Sequence, residues 1–183
     1  MQILTWNDFG ESHYIGPLHA KSFPAGSEKY VTDMAHDGWR EVLPYYINAY
    51  KHGNSTALPV TAEKIIYSHR PNPAGSGSAG GTTGNAGWQA STYPPADVSL
   101  DAINLDVIVS APSDVTVQIG NNAPTQLRAT LVGPNHFLVY FNGQTGPVTY
   151  TVSRNGATVL SVVGAAITPA PGTVNWNAIV GTS

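Results

Sequence analysis

Asp8 and Glu11 stand three residues apart in a stretch that also holds Trp6, Asn7, Gly10, Ser12, His13 and Tyr14. Two carboxyl groups placed among aromatic rings suit sugar chemistry. One protonates a leaving oxygen, the other activates water, and flat rings receive the apolar faces of a pyranose. The same spacing also makes a helix capping box, with Asp8 as N-cap and Glu11 at the third helical position, and spacing alone does not separate the two readings. Gly10 inside the spacing and the β-like Trp6-Asn7 before it favour a bend. Taken by itself, His13 reads as a hydrogen-bonding loop residue.

The elements that must position these groups follow from the pattern around them. Ile3-Leu4 reads as a strand that breaks at Gly10 into the candidate site, as at the rim of a barrel or open sheet. Asp37 can cap a helix over residues 37–52 whose stripe is Trp39, Val42, Leu43, Tyr46, Ile47 and Tyr50, read as a core face. Pro44 predicts a kink or the end of a first turn, and Gly53 a C-terminal stop. Lys64-Ile65-Ile66-Tyr67-Ser68-His69 reads as a short strand closed by Arg70-Pro71, with His69 and Arg70 making structural hydrogen bonds or an ion pair. Residues 72–97 turn rich in Gly, Ser and Pro, a flexible connection or long loop carrying Trp88 and Tyr93.

From about residue 98 the pattern is all-β. Ile103, Leu105, Val107 and Val109 alternate with their neighbours, as do Val115, Val117 and Ile119. Further strands are expected over 126–132, 136–141, 148–153, 158–163 and 174–180, punctuated by turn signals such as Asn142-Gly143 and Asn155-Gly156. This spacing predicts a β-sandwich able to fold alone. Asp97, Asp101, Asp106 and Asp114 make no calcium-loop pattern and read as turn and surface residues. His136 reads as structural, and the sandwich as a brace.

Composition narrows the partners. The chain has 183 residues, of which 10% are charged, and a formal net charge of -3. Its few basic residues are scattered, so there is no electrostatic footprint for nucleic acid; a neutral polysaccharide suits it better. Without cysteine there is no disulfide framework or thiol nucleophile. No stretch has the pattern of a signal peptide or the length of a membrane span. Asn54-Ser55-Thr56 is an acceptor sequon of a kind that arises often by chance. A whole (β/α)8 barrel needs roughly 200 to 250 residues, more than this chain provides beside a sandwich.

The run Thr5-Trp6-Asn7-Asp8-Phe9-Gly10-Glu11-Ser12-His13-Tyr14-Ile15-Gly16-Pro17 closely resembles a signature of glycoside hydrolase family 71, the fungal alpha-1,3-glucanases or mutanases, with Phe9 where the usual form has Tyr. The likeness continues in His36-Asp37-Gly38-Trp39, Leu43-Pro44-Tyr45-Tyr46-Ile47 and Arg70-Pro71-Asn72-Pro73, and again in Arg154-Asn155-Gly156-Ala157 and Asn175-Trp176-Asn177. The resemblance implies an α/β plus all-β fold, a (β/α)8-type barrel followed by an antiparallel β-sandwich. It also implies an enzyme that hydrolyses alpha-1,3-glucan with inversion, outside the cell or in the wall, with no metal or organic cofactor. Its catalytic pair falls on Asp8 and Glu11, one the general acid and the other the general base in an order the sequence does not assign, with Glu11 the favoured acid, and Trp6, Asn7, His13 and Tyr14 would line the cleft. Inversion calls for carboxyl groups roughly 6.5 to 9.5 Å apart.

Because the motif lies late in the family's barrel, the chain corresponds to the C-terminal part of such an enzyme. Residues 1–73 would be the end of the barrel, 74–97 a linker and 98–183 the sandwich. The competing reading is a non-catalytic, carbohydrate-binding or wall-associated β-sandwich with a vestigial barrel fragment.

Overall fold

The alternating segments become strands by burying one face against a second sheet. The computed structural model describes residues 2–53, 58–79 and 94–183. The expected sequon and the residues Gly80, Gly81, Gly84, Gly87, Trp88 and Tyr93 lie outside those described. The strands are β1 (Lys64–His69), β2 (Ala102–Val109), β3 (Ser113–Ile119), β4 (Thr125–Ala129), β5 (Gly133–Tyr140), β6 (Gly146–Arg154), β7 (Ala157–Ile167) and β8 (Ile179–Thr182). They form two four-stranded antiparallel sheets, in the orders β5-β2-β1-β8 and β4-β3-β6-β7. Each expected sandwich strand has a counterpart, most within a few residues at their ends, but the last, expected over 174–180, begins only at Ile179.

Between the sheets lies the main core. Ile65, Tyr67, Ile103, Leu105, Val107 and Val109 face Val115, Val117, Ile119, Val148, Tyr150, Val152 and Ile167. The other face of the first sheet carries a smaller cluster, in which Ile66, Ile108 and Val180 meet Val42 and Tyr45, with Trp39, Leu58 and Val60 at its margin. So β1 is covered on both sides, and five of its six residues are buried. This explains an apolar run with no alternation.

Residues 2–53 form that outer layer, and here the structure departs from expectation. Ile3-Leu4 is not a strand, because no strand among the described residues offers it a ladder; both side chains are exposed. The helix expected over 37–52 is split into a 3-10 turn, Asp37–Glu41, and α2 (Leu43–His52), with Pro44 in the first turn of α2 where its missing N–H costs nothing. A short α1 (Glu28–Val31) precedes them, and α3 (Pro95–Val98) leads into β2. Gly53 ends α2 with φ 73.

β1 forms where expected, but its partners are sandwich strands. Lys64 pairs with Ile108 and Ile66 with Thr182, both antiparallel, whereas barrel strands run parallel. The sandwich therefore reaches back across residue 73. Arg70 ends β1 in the expected ion pair, its Nη2 lying 2.5 Å from Asp101 Oδ1.

Candidate active-site loop

Residues 5–16 fold back on themselves as a short irregular hairpin. Ile15 N donates to Thr5 O at 3.1 Å, Gly16 N to Trp6 O at 2.9 Å and His13 N to Asp8 O at 2.9 Å. Thr5 Oγ1 stitches the base of the loop, donating to the His13 carbonyl and accepting from Asp8 N. The tip is a turn rather than a helix, with Ser12 at φ 60, a left-handed conformation that a non-glycine residue adopts at a cost of order 1 kcal/mol. The capping-box contact exists, since Glu11 N donates to Asp8 Oδ1 at 3.2 Å, but no helix follows it. The bend reading therefore prevails.

The loop sorts its side chains by polarity. Phe9 and Tyr14 turn inward onto Val31, with Leu18, Phe23 and Tyr30 around them, and both ring contacts of Phe9 are at 5.0 Å. Asp8 is half-buried, Asn7 is exposed, and Glu11 and His13 project to solvent at 74% and 63% side-chain exposure. His13 Nδ1 lies 3.7 Å from Glu11 Oε2, a pair that solvent screens heavily. One ligand atom each from Asp8, Glu11 and His13 gathers within 4.8 Å. Three ligands on so open a loop fall short of a closed metal site. One oxygen of each carboxylate thus lies within 4.8 Å of the other.

Trp6 flanks the pair, 56% exposed. Its neighbour across the hairpin must be glycine: a Cβ on Gly16 would sit 2.5 Å from the Trp6 carbonyl and 2.8 Å from the indole. The Arg40 guanidinium lies over the ring at 5.6 Å from its centroid. Ile3, Thr5, Trp6, Ile15, Arg40 and Leu43 line a shallow depression of about 330 Å³. A second hollow, of about 440 Å³, lies by Leu18, Phe23, Glu28 and Asp33 and contains none of the predicted residues.

Tyr14 differs from the expected cleft-lining residue: it is 1% exposed. Its hydroxyl donates to Met34 O at 2.5 Å and accepts from Asn177 Nδ2 at 2.9 Å. Burial raises its pKa, only partly offset by the Asn177 hydrogen bond, so it stays a phenol. Its ring stacks on His36 at 3.9 Å. His36 in turn places Nδ1 3.0 Å from Tyr14 O and Nε2 3.0 Å from Ala178 O. Burial pushes the pKa of His36 below the usual histidine value, against the opposing pull of those carbonyls. Sequence reasoning assigned no role to His36, Tyr30 or Asn177. The motifs around His36 and Asn177 were visible, but not their convergence on this loop.

The profile described as glycosyl hydrolase family 71 matches residues 1–183. The chain belongs to that family. This family 71 chain is 38% identical over 163 residues to Mutanase Pc12g07500 of Penicillium rubens, covering 88% of the chain and 34% of the relative. It is 35% identical over 182 residues to the glucan endo-1,3-alpha-glucosidase agn1 of Schizosaccharomyces pombe, covering 99% of the chain and 40% of the relative. The ascus wall endo-1,3-alpha-glucanase of the same yeast is 44% identical over 63 residues, covering 32% of the chain and 14% of the relative. The chain thus spans between a third and two fifths of the length of the first two relatives. No solved structure gives a significant match.

Proposed function

We propose that this family 71 chain carries the catalytic loop of an inverting alpha-1,3-glucan hydrolase, acting outside the cell or in the wall. The observation that carries the reading is the side-by-side projection of Asp8 and Glu11 from a turn braced at its base. Glu11, projecting, is the general acid that protonates the glycosidic oxygen as its bond to the anomeric carbon breaks. Asp8, already a hydrogen-bond acceptor, is the base that takes a proton from the water forming the new bond. Glu11, its backbone N–H held by Asp8 and its exposed carboxylate near His13, would reach the roughly 6.5 to 9.5 Å separation of an inverting site by rotating its side chain. Trp6, Asn7 and His13 would meet the sugar, and Tyr14 would act from beneath. The relatives' printed names support the substrate. In a longer polypeptide, residues 2–53 would form part of the rim of a (β/α)8-type barrel.

The openness of the loop favours a second reading, glucan binding without cleavage. Reducing-sugar release from insoluble alpha-1,3-glucan separates the two. The wild-type chain is expected to release sugar, and Glu11→Gln or Asp8→Asn to lose at least about a hundredfold in rate. Their melting temperatures should be unchanged, because neither substitution removes buried packing. Sedimentation with glucan but no release from the wild type would leave the binding reading in place.

A further inference from the structure

The peptide unit joining Gly10 to Glu11 is gripped at both ends. Its N–H donates to Asp8 Oδ1 at 3.2 Å, and its carbonyl accepts the Tyr30 hydroxyl at 2.7 Å. One peptide plane therefore sets both the orientation of the Asp8 carboxylate and the point from which Glu11 departs. Tyr30 is itself held from the far end of the chain. Asn177 Nδ2 donates to the Tyr30 carbonyl and to the Tyr14 hydroxyl, each at 2.9 Å, while its Oδ1 accepts from Ala178 N at 2.9 Å. Asn177 is 4% exposed, and its bond to the Tyr14 hydroxyl is buried.

The line continues into the sandwich. Asn177 N donates to Asn175 Oδ1 at 3.0 Å, Asn175 N to Asn72 Oδ1 at 3.0 Å, and Asn72 Nδ2 to Thr168 O at 2.9 Å, just past the end of β7. We infer that Asn177 and Tyr30 are positioning residues for the Asp8/Glu11 pair, a clamp through which the sandwich sets the geometry of the candidate catalytic loop. This inference rests on the hydrolase reading for its chemical consequence, though not for its geometry.

The test uses the 183-residue chain, with Tyr30→Phe, which keeps the ring and removes only the bond to Gly10, and Asn177→Asp, which keeps the acceptor for Ala178 and removes both donated bonds. Amide hydrogen exchange followed by NMR should show the Glu11 N–H of each variant exchanging roughly five- to tenfold faster, with β3 and β6 unchanged. On alpha-1,3-glucan, kcat should fall by a similar factor at unchanged KM. Should Asn177→Asp fail to fold, Tyr30→Phe decides. Unchanged Glu11 exchange in Tyr30→Phe, acceleration shared equally by β3 and β6, or an unaltered kcat in an active chain overturns the clamp. If the wild type releases no sugar, the hydrolase reading fails for this chain while the exchange result still decides the clamp.

Discussion

An imidazole whose two nitrogens both face carbonyl oxygens satisfies them only as a cation, and burial resists that charge. His36 is in this position, and burial wins: its pKa lies below the usual value in the folded chain. Below an unfolded value of about 6.5, the unfolded chain therefore binds this proton more readily than the folded one. The resulting stability is present above that pH and is lost as pH falls toward the folded value. Burial shifts His69 in the same direction. Thermal unfolding followed from pH 7.5 to pH 5 should show a falling midpoint. In His36→Phe, which keeps a ring against Tyr14, the midpoint should be lower at pH 7.5 by the equivalent of about 1 to 3 kcal/mol, and its decline with acidity shallower.

The helix that carries Tyr45 and Tyr46 illustrates what pattern reading captures. Its end was legible from Gly53 and the break before it from Pro44, but Asp37 opens a separate 3-10 turn, and the inward face was not legible: Tyr45 is buried, while Tyr46 and Tyr50 are exposed. The buried face runs through Val42 and Tyr45, three residues apart, so Val42 lies where the pattern placed it and Tyr46 does not. The strand β1 was legible from its apolar run, but its sheet was not. Its partners lie beyond residue 100, and periodicity carries no information about such pairing. Likewise, spacing placed Asp8 beside Glu11, whereas the grip of Asn177 joins residues too distant for any local signal. Packing around β1 offers its own test. A Cβ on Gly164 would lie 2.6 Å from Tyr67 Cζ and 2.8 Å from Tyr150 Cε2, two rings stacked at 4.7 Å. Gly164→Ala should cost about 1 to 3 kcal/mol, read by calorimetry as a midpoint lower by roughly 5 °C.

At the scale of the whole molecule, the sandwich and the outer layer share an element. β1 sits between β2 and β8 and gives one face to the inter-sheet core and the other to α2. A fragment of residues 98–183 lacks that strand, so β2 keeps only β5 as a neighbour and β8 loses its ladder partner. It should give a poorly dispersed NMR spectrum, with no cooperative thermal transition. A fragment of residues 58–183 keeps both sheets and should unfold cooperatively, at a lower temperature than the full chain because the apolar face of Ile66, Ile108 and Val180 is uncovered. Equal folding of both fragments would mean that β1 is dispensable.

The grip of Asn177 on Tyr30 also has a consequence in time. Ribosomes deliver the amino end first, so Asp8 and Glu11 enter the cell long before the residue that clamps their loop. A nascent or prematurely terminated chain carries both carboxylates on an untethered turn. Synthesis of Asn177, rather than appearance of the two carboxylates, is then the event that sets the loop.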